Sequence, residues 1–160
     1  MTGMAIPLLA DSRAFLLDDY LPKIERCLNV LDEQSVWWRA NEATNSIGNL
    51  ILHLDGSTRM WIIGVAGKQS VVRDRAAEFS AREPLAKSAL LAQLRSTLVD
   101  VGAALETFTE STLLERRFSN QGEVTALWAV LHAVEHFAMH TGQIILLTKI
   151  RTGADLQLSG

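Results

Sequence analysis

Four histidines carry most of the chemistry this sequence can offer: His53, His132, His136 and His140. The last three follow one another at four-residue steps. On an α-helix each residue turns ~100°, so a step of four advances only ~40° around the axis. His136 and His140 therefore point the same way, one turn apart. Such a pair can bind one divalent metal ion from a single helix. A third ligand must then come from another helix, and the remaining histidine is His53, set among Leu50, Ile51, Leu52 and Leu54. A buried neutral imidazole needs partners for both ring nitrogens. A metal serves one nitrogen and an acceptor behind the ring serves the other. The expected ligand set is His53, His136 and His140. His132 lies ~80° from His140 and shares that face only loosely. It is the one candidate catalytic residue outside the ligands: a residue behind them, a proton carrier, or part of the rim. Spacing alone leaves a second reading open, in which all four are hydrogen-bonded core histidines.

Three neutral imidazoles define a particular kind of site. They leave a coordination position open, unlike a closed four-ligand structural site. They also leave the metal charge uncompensated, which favours an anionic fourth ligand such as hydroxide or thiolate. Zinc is the simplest ion for such a set, and nickel competes because imidazole suits both. The chain supplies no obvious thiolate of its own. Cys27 is its single cysteine and falls in an apolar helical pattern, as a core filler does. No internal disulfide can form. Asn49 precedes His53 by one turn, and Gln143 follows His136 by seven residues, so each shares a face with a ligand; both read first as polar packing. Glu135 is ~100° from His136 and points elsewhere, so the adjacent acid and histidine are not a catalytic pair.

These residues must be positioned by helices. Phe15, Leu16, Tyr20, Ile24, Leu28 and Leu31 recur at helical spacing and predict a first helix over 11–32. Pro22 inside it predicts a kink or a late start. The segment 37–45 reads as a connection, with Asn45 or Ser46 capping a second helix over 46–63 that ends near Gly64 or Gly67. A third helix is expected to begin near Pro84, with Leu90, Leu94, Leu98, Val101 and Leu105 as its apolar stripe. A fourth is expected over 124–150, with Val130, Leu131, Val134, Phe137, Ile144, Ile145 and Leu147 as contacts. No segment shows sustained period-two alternation. The predicted fold is all-α, a four-helix bundle in one domain over 1–160, with the metal site between the second and fourth long helices. Trp37, Trp38, Trp61 and Trp128 are expected to cap the bundle or line its cavity. The connection 67–82 is long for a helix–helix link and could cover the site. Arg73 and Arg75 within it could meet an anionic substrate, although a solvated charged loop is the simpler reading.

Composition sets the outer bounds. The 160 residues are 48% hydrophobic, enough for one sizeable core. With 15 basic and 18 acidic residues the formal charge is −3, and no basic cluster points to nucleic acid. No apolar run is long enough to span a membrane, and the first residues lack the pattern of a signal peptide. The expectation is a cytoplasmic protein acting on a small molecule.

The sequence also resembles a known family. Asn45-Ser-Ile-Gly-Asn-Leu-Ile-Leu-His53-Leu, Arg59-Met-Trp61-Ile and Arg73-Asp-Arg75-Ala-Ala-Glu78-Phe79 carry part of the likeness. Leu131-His132-Ala-Val-Glu135-His136-Phe-Ala-Met-His140-Thr-Gly142-Gln143-Ile carries the most specific part. These stretches are similar to the DinB-like superfamily of bacterial proteins, nearest to a branch of unknown function. The resemblance covers roughly residues 15–150. It implies a helical bundle with His53, His136 and His140 as a metal triad. It also implies a metal-dependent transferase, isomerase or hydrolase that uses a low-molecular-weight thiol, and a homodimer. Thr141 stands where arginine is common in the wider family. The other reading is a non-catalytic helical module with a structural or incidental metal.

Overall fold

The computed structural model describes residues 3–82 and 85–158. Helix α1 runs as Ala5–Ala14, passes through a π-helical Phe15–Tyr20 and continues as Leu21–Val30. It begins earlier than the apolar pattern suggests, and Pro22 does not mark its start. Proline cannot donate to the carbonyl four residues back and crowds it. The wider π turns immediately before Pro22 absorb that defect while the backbone stays helical through Tyr20 and Leu21. A short α2, Glu33–Val36, follows; the Asp32 carboxylate caps it by accepting from the Ser35 N–H at 2.7 Å.

Helix α3 spans Ile47–Thr58 and extends as a π-helical Arg59–Ala66, stopping at Gly67. Ser46 is its cap, in a reciprocal capping box with Asn49. The following connection is not a plain loop: it contains α4, Arg75–Ser80, capped by Asp74. Helix α5 spans Lys87–Thr107; its expected start near Pro84 lies outside the described residues. Its predicted stripe of Leu90, Leu94, Leu98, Val101 and Leu105 is buried to within 1%.

A short α6, Glu110–Leu114, leads into an antiparallel hairpin, β1 Arg116–Ser119 and β2 Gly122–Thr125. The sequence reading missed this hairpin, and for a physical reason. Its alternation is inverted: Arg117 is buried at 4% exposure while Phe118 is 86% exposed. Buried Arg117 is satisfied by the Ala66 carbonyl at 3.0 Å and by Glu115 at 3.0 Å. The hairpin also delays the last helix. Helix α7 begins at Ala126, capped by Thr125, and runs to Thr152.

The long helices α1, α3, α5 and α7 form the bundle. Helix α7 packs on α1 and α3, and α5 packs on α3 and α1. Leu16, Ile24, Leu50, Ile51, Leu54, Leu94, Phe137 and Ile144 are fully buried between them. Cys27 belongs to this core, and burial raises its thiol pKa, partly offset by a hydrogen bond with Thr148. Leu131, expected as an inward contact, is instead 46% exposed. Among the described residues no helix is long and apolar enough to cross a membrane.

Candidate metal centre

Helix α3 contributes His53 and helix α7 contributes His136 and His140 across one helix–helix interface. The Nε2 atoms of His53 and His136 stand 3.1 Å apart, and those of His140 and His136 also 3.1 Å. All three ligand atoms lie within 4.8 Å of one another. Three nitrogens bound tetrahedrally at about 2.0–2.1 Å would stand roughly 3.4 Å apart. The geometry is thus already close to that of a coordinated set.

The outer ring nitrogens fix which atoms face inward. Nδ1 of His53 lies 2.8 Å from Glu78 Oε2. Burial pushes the Glu78 carboxyl pKa up, but hydrogen bonds from His53 and Arg73 outweigh it and leave the net value lowered. An ionised carboxylate only accepts, so His53 Nδ1 carries the proton and its Nε2 offers a lone pair. Nδ1 of His140 lies 2.7 Å from Gln143 Oε1, again an acceptor, so its Nε2 is also bare. Both bare nitrogens face His136 Nε2, which has at most one proton to share between them. At least one lone pair in the cluster has no donor, and a cation satisfies all three. Burial, and then the nearby His140 and His53, lower the His136 pKa to about 3. Burial likewise lowers that of His140. Both rings are neutral at neutral pH, as ligands must be.

The 67–82 connection forms the back of the site. Arg73 binds Glu78 with both ends of its guanidinium, Nε to Oε1 at 2.6 Å and Nη2 to Oε2 at 2.8 Å. Its side chain is 13% exposed, so the expectation of a solvated charged loop fails at this residue. Arg75 instead lies over the Phe79 ring, whose other contact is the His53 ring at 4.6 Å. Asn49 pins the connection down. Its Nδ2 donates to the Glu78 carbonyl at 2.9 Å and the Ala81 carbonyl at 3.0 Å. Arg39 bridges Asn49 Oδ1 and the Phe79 carbonyl. Gly56, three residues after His53, leaves room for this arrangement, because a Cβ there would overlap Glu78 Oε1.

His132 is not part of the triad. Its ring stacks on Trp128 at 4.8 Å and 12°, meets the edge of Trp61 at 4.7 Å, and stands 5.7 Å from the His136 ring. All four tryptophans are expected to cap the bundle or line its cavity; Trp61 and Trp128 box the His132 ring beside the triad. Trp37 and Trp38 serve elsewhere: Trp37 donates to the Leu85 carbonyl and Trp38 carries Arg151 over its ring. Glu135 is exposed and faces away. The sequence reading assigned no role to Glu78. A lone glutamate in a charged stretch has no periodicity that betrays burial; only the stretch it shares with the DinB-like proteins drew attention to it.

A four-helix bundle with a histidine triad between its second and last long helices is a DinB-like protein. The model of the mycothiol-S-transferase family matches residues 14–152, and the chain belongs to that family. The fold is similar to a conserved protein from Enterococcus faecalis, with a TM-score of 0.74 and 15% identity over 91% of this chain and 97% of that one. It is similar to a DinB-like protein from Bacillus subtilis, at 0.69 and 17% over 94% and 96%. It is also similar to a mutant of a mycothiol-dependent maleylpyruvate isomerase, at 0.61 and 14% over 88% and 67%. No curated protein matches the sequence.

Proposed function

We propose that this protein is a divalent-metal-dependent enzyme that joins the sulfur of a low-molecular-weight thiol to a small electrophile. The convergence of three imidazole Nε2 atoms, with the outer nitrogens of two of them held by acceptors, carries this reading. Membership of a family described by mycothiol S-transfer supports the thiol. Zinc is the expected ion and nickel the alternative. When bound, the ion supplies the electrostatic stabilisation that keeps a thiol ionised near neutral pH. The protein's own residues do the rest. Glu78 and Gln143 hold the rings of His53 and His140. Trp61 and Trp128 hold the His132 ring between them. His132, whose ring is 5.7 Å from that of His136, is the residue we assign to take the proton the thiol gives up. The sulfur electron pair then forms the new C–S bond, and the leaving group departs with its own pair. A buried Cys27 leaves the cosubstrate as the source of sulfur. The same site suits thiol-assisted isomerisation or hydrolysis, with a different acceptor. A cytoplasmic location goes with this reading, since small thiols are kept reduced there.

The test is metal content of protein purified without an affinity tag, followed by thiol consumption with a panel of electrophiles. Near-stoichiometric metal and thiol transfer that stops on chelation are expected. Full metal content with no turnover by any thiol would leave the non-catalytic module as the better description.

A further inference from the structure

A cavity opens on a face of α3 that the metal triad does not use. Its volume is about 510 Å³, and it is walled by α3, by the 67–82 connection with helix α4, and by Gln93 of α5. From α3 it takes Leu52, Asp55, Gly56 and Arg59. At ~100° per residue these point between about 60° and 160° around the axis from His53. No histidine lines the cavity. The Arg73–Glu78 pair borders both sites: Glu78 turns one oxygen to His53, and the pair forms part of the cavity wall.

Asp55 is the group there whose hydrogen bonding is incomplete. It is only 8% exposed. A carboxylate offers two oxygens with about four lone-pair sites. Gln93 Nε2 donates to Oδ2 at 2.7 Å, while Oδ1 is buried with no partner among the described residues. The cations that border the cavity are already taken. Arg59 pairs with Asp100 and Arg73 with Glu78. Neither Asp55 nor Asp74 makes an ion pair among the described residues. A buried carboxylate is costly unless it is paired and hydrogen-bonded. A metal ion does not fit the vacancy, because hard cations need several oxygens at once. Among the described residues the triad is the one cluster that could hold such an ion. Leu52, Val71, Ala77 and Ala81 give the cavity apolar walls. The partner that completes Asp55 therefore has N–H donors, positive charge and an apolar body.

We infer that this cavity binds a small organic ammonium ion. Its N–H groups donate to Asp55, and its apolar body lies against Val71, Ala77 and Ala81. An anion in the same place would meet two unpaired acids. A lone buried water would complete Oδ1 without selecting among solutes, and that is the outcome the experiment must separate from a site.

Calorimetric titration of the full chain as purified tests the inference. The probe is benzylammonium, with benzyl alcohol as its neutral counterpart, and circular dichroism confirms that each variant is folded. One benzylammonium per chain is expected, bound about tenfold or more tighter than benzyl alcohol. Asp55→Asn keeps the shape and removes the charge, and should weaken binding by about tenfold or more. Asp74→Asn still caps α4, and should change binding by less than about threefold, because an exposed acid is screened by water. Ala77→Phe fills the cavity from an exposed position on α4 and should abolish binding with Asp55 intact. No saturable binding up to about 10 mM, equal affinity for benzyl alcohol, equal losses in Asp55→Asn and Asp74→Asn, or binding that survives Ala77→Phe would each overturn the proposal. None of these outcomes depends on whether the metal centre is catalytic.

Discussion

The two arms of the candidate metal centre are supported in opposite ways. His136 and His140 sit one turn apart on α7, and Gln143, three residues beyond His140 on the same helix, holds the His140 ring with a neutral amide. Their geometry is local and follows from helical spacing. His53 stands alone on α3. Its ring is held by a carboxylate 25 residues downstream, on the short helix α4, and that carboxylate is gripped by Arg73. The α7 arm is therefore built by secondary structure and the α3 arm by tertiary structure. An imidazole backed by an ionised carboxylate is a stronger base than one backed by an amide. The α3 arm is thus expected to be the more consequential of the two supports and the more easily damaged.

Removing ligands gives the largest effects. His53→Ala, His136→Ala and His140→Ala should each reduce metal affinity by more than about 100-fold, leaving only two nitrogens. Elemental analysis after equilibration with limiting zinc reads this directly. Unchanged affinity in His53→Ala would remove the α3 arm from the comparison altogether.

The supports come next. Glu78→Gln keeps the shape but loses the charge that orients His53 and pairs with Arg73, and should cost about 10–100-fold in metal affinity. It should also lower stability by up to about 3–5 kcal/mol, because Arg73 is left buried without its partner. Gln143→Ala removes a neutral acceptor at a more open position and should cost less than about tenfold. If Gln143→Ala proves as damaging as Glu78→Gln, the two arms are equivalent and the comparison fails.

The same contrast decides how much the sequence could reveal. The α7 pair was legible because ligand spacing and helix periodicity are the same signal. The choice of His53 followed by elimination, and the Ser46 cap and the leucine stripe of α5 were equally local. Glu78 was not legible, because its burial depends on Asn49 and Gly56 drawing a distant segment onto α3. Arg73 read as solvated for the same reason. The hairpin was hidden by a buried arginine, and the early start of α1 by a proline that the π turns accommodate.

Acid should separate the arms further. His136 is neutral in the folded protein, with its pKa lowered to about 3, but it protonates near 6.5 when unfolded. Below about pH 6.5 the unfolded chain binds a proton that the native chain does not, so stability falls progressively as the pH drops toward 3. Glu78, also lowered, contributes stability that is present above its unfolded value of 4.5 and lost as the pH falls through its folded value. Metal-free protein should therefore begin to lose stability below about pH 6.5 through His136, with Glu78 adding to the slope below 4.5. Urea midpoints measured between pH 7 and 3 read both. His136→Gln should reduce the slope from about pH 6.5 down to 3, and Glu78→Gln only the slope below 4.5. The same change of slope in both variants would show that the arms titrate as one unit.

The smallest expected effect belongs to the residue outside both arms. His132 shares α7 with the metal pair but turns its ring into the Trp61–Trp128 box, 5.7 Å from the His136 ring. From there it can act on a proton without holding the metal. His132→Gln keeps a polar side chain of similar reach and removes the base, so turnover should fall by about 10²-fold or less, with metal stoichiometry unchanged. A plain packing residue would instead lower the unfolding midpoint while sparing both activity and metal. A ligand would lose the metal. Measuring all three quantities on one preparation assigns the role, and full metal content with full activity would remove His132 from the mechanism. A fall in turnover that reverses at high concentrations of added imidazole would tie the loss to the missing base rather than to a disturbed aromatic box.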